Sequence, residues 1–189
     1  MKVLDLGCGD RKKVIEGAQV IGIDKIAMPG VDAVHDLNVF PYPFGNNEFD
    51  QIICDDVLEH LDDIVAVVEE LHRITKPGGE IIISVPHFSS DNYYTDITHK
   101  HPFSSRSFDF FDPRFQNNVH QFYSKARFRV EKKYIGFSEV LPSGKKHFPN
   151  VWKILGVEYL ANRFPRHYER LFAFIVPAAE LYFELRVTK

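Results

Sequence analysis

The chain has 189 residues, 44% hydrophobic and 26% charged, with a formal net charge of -3; this length suits one domain, residues 1–189, and would cramp two. Its longest apolar stretch, Leu171 to Ala179, is nine residues and contains Pro177, far short of the roughly 20 that a membrane-spanning helix needs. Residues 1–120 carry 10 Lys+Arg against 20 Asp+Glu (-10) and residues 121–170 carry 11 against 4 (+7), a balance that argues against a binder coating its whole surface with nucleic acid.

Lys2 to Leu6 reads as a short buried strand that ends in a glycine turn, KVLDLGCGDRKK. AQVIGID is a second strand ending at Asp24, VDAVHDL a weaker third ending near Asp36, FDQIICDD a fourth, and GEIIISVP a fifth closed by Pro86. Between the last two, Leu58, Leu61, Val65, Val68 and Leu71 recur at steps of three and four, the stripe of an amphipathic helix that Pro77-Gly78-Gly79 ends. Later, ARFRVEKKYIGF and LYFELRVTK read as two strands, the last antiparallel at or near an edge. Strands alternating with crossovers predict an α/β fold, a doubly wound, mostly parallel sheet with helices on both faces.

In such sheets ligands sit beyond the carboxyl ends of the strands. This brings Asp5–Gly9, Asp24, Asp36, Cys54–Asp56 and Pro86-His87 around one crevice. Gly7 and Gly9 allow close backbone approach, Asp24 can accept bonds from two ribose hydroxyls, and Asp36 with Leu37 offers an acceptor and an apolar wall to an adenine. A pyrophosphate-binding turn would place a third glycine at position 12, which is Lys12. An amino-acid-bearing nucleoside has no phosphate to neutralise, and its ammonium suits the acid at Asp5.

VLDLGCG, GID, FDQIICDDVLEHL and LHRITKPGGEIIISVPH resemble, in order and spacing over residues 2–88, the motifs of class I S-adenosylmethionine-dependent methyltransferases. The likeness is nearest the type 11 branch that acts on small molecules and glycans. It implies a Rossmann-like sheet of seven strands with an antiparallel late strand, and S-adenosyl-L-methionine as cofactor. It further implies that Gly7, Cys8 and Gly9 line the methionine part, Asp5 the amino group, Asp24 the ribose, Asp36 and Leu37 the adenine, and that Asp55 closes the methionine side. Val57 would add a backbone or apolar contact. Members usually carry a cover helix before the first motif; none precedes Lys2 here, so residues 88–120 or another subunit are expected to take its place.

The implied reaction is methyl transfer to a small-molecule or glycan acceptor at oxygen. The segment after the fifth strand, PHFSSDNYYTDITHKHPFSSRSF, should overhang the methyl end and supplies the candidate bases His99 and His87, with Asp96 to orient an imidazole; a turn organised by Asp96 and Thr98 is the plainer alternative. His99-x-His101 with Asp91 or Asp96 offers metal-ligand types, yet no Cys or HExxH spacing accompanies them, and no metal is expected. Segments 87–120 and 137–180 are the expected substrate-side covers, the second carrying aromatics with Arg163, Arg166 and Arg170 that suit sheet packing, a homodimer contact or a peripheral membrane contact. CDDV after the fourth strand, in place of an Asn/Asp-Pro-Pro-Tyr/Phe motif, lowers nucleic acid as substrate. Two cysteines and no leader-like start point to the reduced cytoplasm. Two other readings carry different tests: a non-catalytic nucleoside-binding partner module, and a nicotinamide-dependent enzyme, which the missing Tyr-x-x-x-Lys counts against.

Overall fold

A computed structural model describes residues 1–115, 122–137 and 155–189. The expected segment 87–120 therefore lies partly, and the segment 137–180 largely in its first half, outside the described residues. Seven strands form one sheet: β1 (Lys2–Leu6), β2 (Gln19–Asp24), β3 (Ala33–Val34), β4 (Phe49–Asp55), β5 (Thr75–Pro86), β6 (Phe128–Gly136) and β7 (Glu180–Val187), in the order β3-β2-β1-β4-β5-β7-β6. β1 to β5 are parallel, and β7 runs antiparallel between β5 and β6. The last strand is therefore one in from the edge, because β6 folds back outside it. In β7, Leu181, Phe183, Leu185 and Val187 are all buried on one face, the alternation of an antiparallel strand with one face packed on the core.

Val3, Leu4 and Leu6 are fully buried in β1, as a central parallel strand covered on both faces demands. Order reverses between β1 and β4, so the carboxyl ends of β1, β2 and β4 meet beside a switch point. The crossovers differ from expectation. Residues 7–18, 25–32 and 35–48 contain turns but no helix, so the fold is not helix-covered at every crossover. Residues 7–18 are rich in Gly and charge, residues 25–32 are only eight long and contain Pro29-Gly30, and Pro41 and Pro43 interrupt residues 35–48, so none offers an uninterrupted apolar stripe that a helix could bury.

The crossover from β4 to β5 does carry a helix, α1 (Ile64–Ile74), which buries Val67, Val68, Leu71 and Ile74. It starts later than its apolar stripe suggests. Asp63 caps it, accepting from the Ala66 amide at 3.0 Å, while Leu58 and Leu61 are buried from a 3-10 turn at Leu58–His60. At its far end the Thr75 hydroxyl donates to the Leu71 carbonyl at 2.7 Å, and β5 begins at once. Pro77 and its glycines lie inside β5, where the pairing with β4 shifts between Phe49↔Thr75 and Gln51↔Glu80, a bulge that accommodates a residue without an amide proton. Short helices α2 (Asp91–Thr95), α3 (Val157–Arg163) and α4 (Pro165–Leu171) and a second 3-10 turn at Ser107–Phe111 complete the described elements. Among the described residues no helix is long and apolar enough to cross a membrane.

Candidate functional site

Three hollows that share lining residues lie in a row at the carboxyl ends of the strands. The first, about 380 Å³, is lined by Asp5, Gly7, Cys8, Gly9, Lys13 and Asp55. The second, about 580 Å³, shares Gly7 and continues along Asp24, Asp36, Leu37, Val57 and Ile97. The third, about 290 Å³, shares Asp56 and His60 with the second and is lined by Glu59, Asn92, Asp96 and His99.

The glycine turn builds the wall between the first two. The Gly7 amide donates to the Ile23 carbonyl at 2.9 Å, tying the turn to β2. Gly7 and Gly9 hold φ of 68° and 56°, a left-handed region that disfavours side chains. A Cβ on Gly7 would stand 2.5 Å from Val57 Cγ2, whereas one on Gly9 meets nothing within 4 Å. The Gly9 amide donates to Asp24 Oδ2 at 3.0 Å and the Ile26 amide to Oδ1 at 3.0 Å, so the Asp24 carboxylate is fixed at the end of β2. Asp36 Oδ1 accepts from the Asn38 amide at 2.9 Å, and buried Leu37 is held through its carbonyl by the Tyr42 hydroxyl.

Asp5 is buried, accepts from the Lys13 amide at 2.7 Å, and has its carboxyl pushed up chiefly by that burial. Asp55 is ion-paired with the Lys13 ammonium. Lys13 stays protonated against its own partial burial because Asp55, Asp5 and Asp56 face it. Asp56 adopts φ of 50°, and burial, then Asp55, pushes its carboxyl up to about 6. Cys8 and Cys54 are buried and free, and burial first of all raises both thiols, Cys8 to about 11, which leaves them unreactive.

His99 lies on the third hollow. Its Nδ1 is 3.0 Å from the Tyr93 carbonyl, which can only accept, so the neutral ring carries its proton on Nδ1 and keeps a lone pair on Nε2. That Nε2 lies 3.9 Å from Glu59 Oε1 and 4.0 Å from Asp96 Oδ2. Asp96 does not hydrogen-bond His99; it organises the turn, accepting from the Thr98 amide at 2.8 Å and the Thr98 hydroxyl at 2.6 Å. The same hydroxyl faces His60 Nδ1 at 2.8 Å. With its hydrogen committed to Asp96, Thr98 accepts from His60, whose Nε2 is then the free nitrogen. Glu59 is fully buried with neither carboxylate oxygen hydrogen-bonded. Among the described residues Glu59, His60 and His99 form a group whose ligand atoms, one from each, lie within 4.8 Å of one another.

His87 is placed apart from these hollows. Its ring is fully buried against Phe88 and Tyr168, Nδ1 receives the Ser89 amide at 3.1 Å, and Nε2 faces Glu169 Oε1 at 3.6 Å. It thus packs the end of β5 onto α4 and does not meet a ligand in the third hollow. The structure brings together Asp5, Gly7, Cys8, Gly9, Asp24, Asp36, Leu37, Asp55, Asp96 and His99 along the crevice. Asp56, already expected at the crevice, joins them, and the structure adds Lys13, Glu59 and Ile97. Lys13 and Ile97 enter through loop paths that leave no periodic trace in the sequence, and Glu59 through the 3-10 turn at Leu58–His60.

The family profile described as "Methyltransferase domain" matches residues 1–140. A "Ubiquinone biosynthesis O-methyltransferase" of Pseudomonas aeruginosa is 34% identical over 100 residues, covering 44% of this chain and 43% of that one. The counterpart in Erwinia tasmaniensis is 29% identical over 113 residues, covering 51% and 46%. The matches thus span less than half the length of these curated relatives. Among solved structures, a SAM-dependent methyltransferase from Archaeoglobus fulgidus superposes with a TM-score of 0.61 at 21% identity, over 98% of this chain and 85% of that one. The YcgJ protein of Bacillus subtilis gives 0.58 at 15% identity, over 100% and 92%. At these identities the structural likeness is one of fold.

Proposed function

Since the chain belongs to the class I S-adenosylmethionine-dependent methyltransferases, through a domain match that spans residues 1–140, we propose that it methylates a hydroxyl oxygen of a small-molecule or glycan acceptor. The observation that carries this reading is the row of adjoining hollows, in which Asp56 and His60 border both the His99 and the Asp24 hollows and Gly7 borders both the Asp24 and the Asp5 hollows. The cofactor fits the residues present. Asp5, Asp10, Asp24, Asp36, Asp55 and Asp56 line the first two hollows beside Arg11, Lys13, Lys25 and Lys100, an acidic balance that favours a cationic nucleoside over a pyrophosphate, and Gly9 leaves room for close backbone approach.

On this reading Asp5 and Asp55 hold the amino group of the methionine part, Gly7, Cys8 and Gly9 give backbone contacts, Asp24 accepts from the ribose hydroxyls, and Asp36 with Leu37 faces the adenine. The bound cofactor supplies a methyl group on a sulfonium, a good leaving group. His99, which borders the third hollow and keeps its lone pair on Nε2, would take the proton of the acceptor hydroxyl as the methyl group is transferred. Asp96, whose carboxylate lies 4.0 Å from the same nitrogen and is held below its usual range by its Thr98 bonds, stabilises the imidazolium that results. Such a base contributes typically ~10²–10⁴-fold in rate. Oxygen as the receiving atom is supported by the O-methyltransferase names of the curated relatives. Two buried free thiols suit a reduced cytoplasm.

The test is calorimetric titration with S-adenosylhomocysteine, with NAD as control, followed by acceptor screening with methyl-labelled cofactor. His99→Gln should bind S-adenosylhomocysteine as the parent does and lose turnover. Preference for NAD would overturn the reading, and binding without turnover on any acceptor would leave a nucleoside-binding module. The clustering of Glu59, His60 and His99 favours a second reading of the third hollow, a divalent cation that polarises the acceptor oxygen. Saturable Mn²⁺ binding lost in Glu59→Gln would establish it, and the sequence-based expectation of no metal would then fall.

A further inference from the structure

The surface most at odds with a monomer in water is the α3–α4 hairpin and the turn that follows it. Tyr159, Leu160, Phe164, Leu171, Phe172, Phe174 and Ile175 are each between 47% and 74% exposed. Scattered apolar residues are ordinary on a surface, but seven on one short hairpin make a patch that normally meets a partner. The patch surrounds a cavity of about 520 Å³ lined, among the described residues, by Leu160, Ala161, Phe164, Phe172 and Val176 among others. Its walls are almost wholly apolar, and its size suits a hydrocarbon chain rather than a polar ligand.

Charge decides what kind of partner fits. Arg163, Arg166 and Arg170 are exposed along the same hairpin, and none has an ion-pair partner among the described residues. Arg163 lies over the Phe164 ring at 4.9 Å, an arrangement that keeps the guanidinium beside the apolar surface. The hairpin's two acids point inward: buried Glu158 accepts from the Tyr134 hydroxyl, and Glu169 accepts from the Ser105 amide. Arginines fringing exposed aromatic and aliphatic side chains, with no acid among them, match an anionic lipid surface, where the apolar groups enter the acyl boundary and the guanidinium groups meet phosphates. A second copy is a poorer match, since a two-fold contact would oppose the same arginines across the interface.

The patch also adjoins the third hollow. The Phe174 ring packs on Phe88 with centroids 5.6 Å apart, and the Tyr94 hydroxyl donates to the Phe88 carbonyl at 3.3 Å from α2. The same helix lines the hollow with Asn92 and Thr95.

We infer that this hairpin docks the protein peripherally on anionic bilayers. Docking does not depend on methyl transfer, so it is measured without cofactor or acceptor. The full chain is sedimented with vesicles of phosphatidylcholine containing phosphatidylglycerol and, separately, of phosphatidylcholine alone. Binding is expected to the first and to be much weaker to the second. Each cation near the surface strengthens binding by about fivefold, so Arg163→Glu/Arg166→Glu/Arg170→Glu should lower partitioning by at least roughly a hundredfold. Leu171→Ser/Ile175→Ser should weaken it at high salt as well, where the charge contribution is screened. Melting temperature and S-adenosylhomocysteine binding of both variants should match the parent, since none of these residues lines the crevice. Failure of the parent to sediment with anionic vesicles at low salt would overturn the inference. So would variants that bind vesicles like the parent, or a concentration-dependent dimer that the Leu171/Ile175 variant abolishes while vesicle binding persists.

Discussion

The two glycines of the turn have different tasks, and alanine separates them. Gly7→Ala sets a methyl group 2.5 Å from Val57 Cγ2 at a φ of 68°, so it should destabilise the protein by about 1–3 kcal/mol, read from chemical denaturation. Gly9→Ala meets open space and should cost only the left-handed backbone strain of about 1–2 kcal/mol, while weakening S-adenosylhomocysteine binding where its methyl faces the ligand. Asp24→Ala removes a charged acceptor, worth about 1.5–3 kcal/mol per bond, and should weaken binding by roughly 10- to 150-fold for each ribose bond lost, read by calorimetry. Glu59 carries a pH signature. Burial first, then Asp56 and Asp55, pushes its carboxyl up to about 8 from an ordinary 4.5. The native state therefore keeps a proton that the unfolded chain gives up, and this group's contribution is full below about 4.5 and lost as pH rises towards 8. Relative to the parent, Glu59→Gln should gain melting temperature between pH 5 and pH 8 and show a level difference above that.

At the scale of elements, the segments that carry the crevice are held by single polar anchors rather than by helices. Asp112, after the 3-10 turn at Ser107–Phe111, is fully buried. It accepts from the Val130 amide at 2.9 Å and pairs with Arg114 at 2.6 Å, and against its burial these donors hold it down to about 2. This bond fastens the segment after α2 to the edge strand β6. Asp112→Asn should cost on the order of 1.5–3 kcal/mol, and the parent should lose that advantage only as the pH falls towards 2. The strands were legible as elements because apolar runs between glycine and acid punctuation leave little choice. The start of α1 was not, since Leu58 and Leu61 continue its stripe and only the Asp63 cap, a local backbone competition, decides where helix begins. The helix-free crossovers were hidden for a related reason: a chain of a dozen residues can cross over with or without a helix.

For the molecule as a whole, ligand binding and stability are linked. A hundredfold excess of S-adenosylhomocysteine over its dissociation constant should stabilise the chain by about 2.7 kcal/mol. For a chain of this length that raises the melting temperature by roughly 5–10 °C, with no shift from NAD, and the measurement is a thermal unfolding scan. The uneven charge acts at the same scale. The acidic crevice and the basic hairpin lie on one chain of net charge -3, so each ligand class meets a local field that the sum conceals.

The sequence by itself determined the parallel order of glycine turn and strand-end acids, and with it the family and the cofactor, because these depend on residues close in sequence whose spacing a strand and turn enforce. The pairing of β7 inside β6, the burial of His87 behind Tyr168, and the meeting of Glu59, His60 and His99 were decided only in three dimensions. Each depends on which side of a loop faces the sheet, and a loop without periodicity records no such preference in its sequence. His87 and His99 are alike as letters in one segment; packing against α4 buries the first, and a bond to the Tyr93 carbonyl leaves the second with an unprotonated Nε2 on a ring that lines the third hollow.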